Sequence, residues 1–80
     1  MTNLIKLREA QRMVSNALYP EYYEMEVGCQ PNEYAGCVDD IVWNNAQNKT
    51  LPTLEHSEQQ FIETPTVANA LTYWECAITQ

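Results

Sequence analysis

TPTVANALTYWECAI, residues 64–78, is the stretch on which the fold turns. Read as a helix, it opens with Thr64 as the cap and Pro65 at the first helical position, where the missing N–H costs nothing. Val67, Ala70, Leu71, Trp74, Ala77 and Ile78 then recur at three- and four-residue spacing and form one apolar stripe. Read as a strand, the same stretch would be carried by the β-favouring run Thr72-Tyr73-Trp74. The stripe favours the helix, and the strand is the runner-up.

Upstream, residues 54–63 read as a short helix. Ser57 and Gln60 stand at capping-box spacing, and Phe61 and Ile62 are its apolar anchors. Residues 44–53 are polar, contain Pro52 and read as a loop. From Glu33 to about Ala46, Tyr34, Val38, Ile41 and Val42 return at helical spacing, with Asn32 as a cap. Gly36 weakens this helix by about 1 kcal/mol relative to alanine. Gln30-Pro31-Asn32 is a break. Residues 21–29 alternate Tyr23, Met25, Val27 and Cys29 with Glu24, Glu26 and Gly28, the period of a half-buried strand. A short helix begun by Pro20 is the alternative. Residues 3–18 read as a helix capped by Asn3 or Thr2 and stopped by Pro20. Leu7, Ala10, Val14, Ala17 and Leu18 line its apolar face, and Lys6, Glu9 and Arg12 its polar one.

The expected architecture is mainly α: one domain over residues 1–80, with three or four helices and a minor β element as an option, or α+β as the alternative. The first and last helices carry the clearest amphipathic faces, so they are expected to pack on each other or on a second copy. A chain of 80 residues buries only about 60–65% of the surface that its unfolded form exposes, so its stability is on the order of 5 kcal/mol. Hydrophobic residues make up 45% of the chain, which is enough for a compact core and excludes a disordered class.

Charge is unevenly divided. The first 18 residues hold Lys6, Arg8 and Arg12 against Glu9, a net +2, and the remainder holds Lys49 against ten acids. The whole chain sums to −7. Such a chain repels phosphate backbones, so direct nucleic-acid binding is not expected. No apolar run reaches the roughly 18 residues of a membrane span, and the N-terminus does not read as a secretory leader. The acceptor pattern Asn48-Lys49-Thr50 is therefore read as coincidence. Three cysteines, an odd number, fit reduced thiols and a cytoplasmic setting.

The chemistry-bearing residues are few. Cys29, Cys37, Cys76 and His56 would make up a Cys₃His zinc set, but no pair of them has the tight spacing that zinc turns use. Read otherwise, the cysteines are small core hydrophobes and His56 a surface residue. Ser15 and Ser57 lie outside any nucleophile motif, and two glycines cannot make a phosphate-cradling loop. Asp39 and Asp40 are adjacent, and neighbours on a helix diverge, so at most one would face a site. No catalytic residue, metal site or cofactor is expected.

One feature has a direction. Tyr19, Tyr22, Tyr23 and Tyr34 are interleaved with Glu21, Glu24, Glu26 and Glu33, and Asp39 and Asp40 follow. Tyrosines offer large contact area at low entropic cost, and clustered acids steer a basic partner. Carboxylates on a rigid surface also imitate a duplex's phosphates. The bland alternative is a solvated acidic face. In style the chain resembles the small acidic accessory proteins of bacteriophages and mobile elements, many of which block a host protein by binding it. The expected function is a non-enzymatic inhibitor of that type. It would engage the basic, nucleic-acid-binding surface of a nuclease or defence complex through Glu21, Tyr22, Tyr23, Glu24, Glu26, Tyr34, Asp39 and Asp40. Two alternatives stand beside it. One is an assembly subunit that homo-oligomerises through Val67, Leu71, Trp74 and Ile78, and the other a small zinc-stabilised domain.

Overall fold

A computed structural model of the protein describes residues 4–20 and 35–79, with side chains described for 4–20 and 38–79. The described residues form four helices and no strand: α1 (Leu4–Leu18), α2 (Ala35–Ala46), α3 (Leu54–Glu63) and α4 (Val67–Thr79). The mainly α expectation holds, and Thr72-Tyr73-Trp74 lies inside α4 rather than in a strand. The strand expected over 21–29 lies outside the described residues.

The last helix organises the rest. It packs against α1, α2 and α3. A helix with neighbours on several sides must be apolar beyond one stripe, and α4 is. Ala70, Tyr73, Trp74, Glu75 and Cys76 are all buried, although only Ala70 and Trp74 belong to the expected stripe. Leu71 and Ile78 are half-buried and pack against the core. From the facing helices come Ala10 and Val14 of α1, Val38 and Val42 of α2, and Phe61 of α3. The Phe61 and Tyr73 rings lie 5.9 Å apart, tilted by 32°, within the range of favourable aromatic pairs.

Four local expectations are corrected. On α1, Ala17 and Leu18 are exposed, whereas Ser15 is buried. Periodicity sets the width of a buried arc, and the helix it packs on sets where the arc is centred. Here the arc is turned from Ala17 toward Ser15, and Leu18 is the final residue of the helix. On α3, the cap is Thr53, with an extended backbone, and its Oγ1 accepts the His56 N–H at 3.1 Å. Ser57 is instead buried one turn into the helix and donates to the Leu54 carbonyl at 2.9 Å. Phe61 is an anchor as expected, but Ile62 faces outward.

The third correction concerns the α3–α4 joint. Thr64 closes α3, donating its N–H to the Gln60 carbonyl at 2.9 Å, and stands three residues before α4 begins, too far upstream to cap it. Thr66 caps α4, its Oγ1 accepting the Asn69 N–H at 3.2 Å. Pro65 lies between the two caps. Asn69 Nδ2 donates back to the Thr64 carbonyl at 2.8 Å, which ties the joint together. The α2 helix runs to Ala46, so the expected loop begins at residue 47 rather than 44.

Candidate functional site

Four consecutive residues of α4 place polar atoms in the interior, and each has a different partner. Tyr73 Oη donates to Glu58 Oε2 of α3 at 3.0 Å. Trp74 Nε1 donates to Asp39 Oδ1 of α2 at 2.7 Å. Glu75, 2% exposed, accepts from Lys49 Nζ in the α2–α3 loop at 2.6 Å. Cys76 Sγ donates to the Pro52 carbonyl at 3.3 Å. Buried polar groups are costly unless bonded, so these contacts both satisfy α4 and fix its neighbours around it. Ser15 Oγ is buried on α1 with no hydrogen-bond partner among the described residues.

Burial shifts two of these groups. It raises the Asp39 pKa from the ordinary 3.8; the Trp74 hydrogen bond opposes the rise and the neighbouring Asp40 charge adds to it. Burial raises the Tyr73 pKa as well, helped by the hydrogen bond to Glu58 and by that carboxylate's charge. Both groups therefore favour their neutral form more than they would in water.

The outer face of α2 is different in kind. Asp40, Trp43 and Asn44 are all exposed and share one face, and Gln47 continues it just past the helix end. Trp43 is 46% exposed. It borders a recess of about 340 Å³ that is also lined by Gln47, Lys49, Leu51 and Thr79. The opposite face of the helix holds the buried Val38, Val42 and Ala46.

The expected partner-binding residues are therefore divided. Asp39 is half-buried and bonded to Trp74, while Asp40 faces outward, the divergence expected of neighbours on a helix. Glu21, Tyr22, Tyr23, Glu24, Glu26 and Tyr34 lie outside the described residues. Of the zinc set, Cys76 is buried against Pro52, and His56 is exposed at the rim of a recess of about 280 Å³ shared with Pro52 and Gln60. Cys29 and the Cys37 side chain lie outside the described residues. Among the described residues no three His, Cys, Asp or Glu side chains converge on a metal position. No described helix is long and apolar enough to cross a membrane.

Of the stripe assigned to homo-oligomerisation, Trp74 lies in the chain's own core, with Leu71 and Ile78 packed against it. Sequence reasoning missed Trp43 as a surface residue and Lys49 as the partner of Glu75. The Trp43 signal was present: Val38 and Val42 mark the inward face, and residue 43 falls on the far side. Compared with known protein families, curated proteins and solved structures, the chain matches none.

Proposed function

We propose that this chain is a non-enzymatic protein-binding module of inhibitor type. It presents an acidic, aromatic surface to the basic, nucleic-acid-binding face of a protein such as a host nuclease or defence complex. The observation that carries the reading is Trp43, held half-exposed beside Asp40 on the outer face of α2. Tryptophan is the residue most enriched among binding hot spots, and an adjacent carboxylate selects a cationic neighbour on the partner. The described residues 35–79 carry six acids against Lys49 alone, and Lys49 is engaged with Glu75. In the sequence, Glu21, Glu24 and Glu26 add to the negative charge, and Tyr22, Tyr23 and Tyr34 are proposed as further anchors. Asp39 contributes by holding α2 to Trp74. The chain acts by steric and electrostatic competition, in a cytoplasmic setting with reduced thiols.

The test uses the full chain as bait in bacterial lysate at low and high salt, beside Trp43→Ala and the double variant Glu24→Lys/Glu26→Lys. The expected result is a nucleic-acid-binding protein that is released by salt and lost with both variants. A partner retained equally by the wild type and both variants would contradict the reading.

A further inference from the structure

The outer face of α1 holds an open groove of about 460 Å³, lined by Glu9, Arg12, Met13, Asn16, Ala17 and Val67. Its floor is apolar, from Met13, Ala17 and Val67, and two opposite charges three residues apart stand along it. Ile5 lies on the same face, one turn before Glu9, and is 73% exposed. An isolated exposed isoleucine is ordinary, but this one shares a helix face with a groove and a charge pair of both signs.

We infer that this groove takes the α1 helix of a second copy of the chain, packed antiparallel about a two-fold axis. A two-fold contact is self-complementary: if residue i meets residue j, then j meets i. Glu9 and Arg12 satisfy that condition, because the register that sets Glu9 against the partner's Arg12 also sets Arg12 against the partner's Glu9. The same register places Ile5 opposite the partner's Asn16, beside the partner's Ala17 at the edge of the apolar floor. One alignment thus pairs the opposite charges and brings Ile5, the most exposed large apolar side chain of the helix, to the edge of the apolar floor. Glu9 is paired with Lys6 at 3.3 Å within its own helix, but both groups are exposed, and such a pair gives way readily. The inference concerns the groove formed by α1 and Val67 and does not rest on the role assigned to Trp43.

The experiment is sedimentation equilibrium of the full chain from micromolar to millimolar concentration, with helix content checked by circular dichroism for every variant. The wild type is expected to dimerise. Glu9→Arg and Arg12→Glu each place like charges together and should weaken the dimer about tenfold or more. Mixing the two variants restores both opposite-charge pairs in the heterodimer, so the mixture should associate more tightly than either variant alone. A wild type that stays monomeric throughout would overturn the inference. So would a dimer indifferent to both substitutions, or a mixture no tighter than its components.

Discussion

Trp74 and Trp43 are chemically the same side chain in opposite circumstances. Trp74 is 1% exposed, lies in the core on the helix that packs against α1, α2 and α3, and gives its indole N–H to Asp39. Trp43 is 46% exposed on the helix that carries Asp39, three residues from Asp40. Position decides the difference. Residues 73–76 of α4 are surrounded, so each polar atom there must find a partner inside the chain. Among the described residues, the α2 helix buries one face, with Val38, Val42 and Ala46, and leaves Asp40, Trp43 and Asn44 exposed on the other, where they can meet another molecule. The contrast separates what holds this protein together from what it can offer.

The contrast is broken most severely by Trp74→Ala. Removing a fully buried tryptophan costs about 3–5 kcal/mol, close to the whole stability of a domain this small. The variant should be largely unfolded by circular dichroism at room temperature. Lys49→Met comes next, because it leaves the buried Glu75 carboxylate unpaired. The expected loss is about 1–3 kcal/mol, toward the lower end because the Lys49 head group reaches solvent. Adding Glu75→Gln should recover much of that loss in urea unfolding. Tyr73→Phe removes one hydrogen bond, and a loss of about 0.5–1.5 kcal/mol is expected in the same assay.

The Asp39 contact sharpens the contrast through pH. Its folded-state pKa is raised, so between the ordinary 3.8 and the folded value the native state holds a proton that the unfolded chain has released. Its contribution to stability is therefore fully present in acid below 3.8 and declines as pH rises through the folded pKa. Asp39→Asn keeps an acceptor for the Trp74 N–H and removes the ionisation. It should leave neutral-pH stability unchanged or slightly higher and remove this group's part of the acid-range slope. Of the two truncations to alanine, the smaller loss belongs to Trp43→Ala, about 1 kcal/mol, because only about half of that side chain is buried.

The helices were legible because their signals are local. Proline breaks and apolar spacing located α1 and the extent of α3, and Val38 and Val42 located α2. What escaped depends on contacts distant in sequence. Ser57-x-x-Gln60 has the pattern of a cap, yet Thr53 does the capping, since Ser57 finds an acceptor in Leu54 and is buried. Glu75 reads as a solvated acid until Lys49, 26 positions away, is seen to reach it. Asp39 reads as half of an acidic pair until Trp74, 35 positions away, claims its oxygen. An all-round buried helix also hides its own pattern: Tyr73, Glu75 and Cys76 fall off any single stripe, so the centrality of α4 was only half visible. Within the candidate site, composition pointed to the acids, but it could not tell the exposed Asp40 from the engaged Asp39.

The division between the two tryptophans is tested most directly by acrylamide quenching of fluorescence in the wild type and in Trp43→Phe. The wild type should show a readily quenched component beside a protected one. Trp43→Phe, left with Trp74 alone, should lose the quenched component and emit further to the blue. Emission in Trp43→Phe that remains red-shifted and readily quenched would contradict the account, because Trp74 would then not be at the centre of the fold.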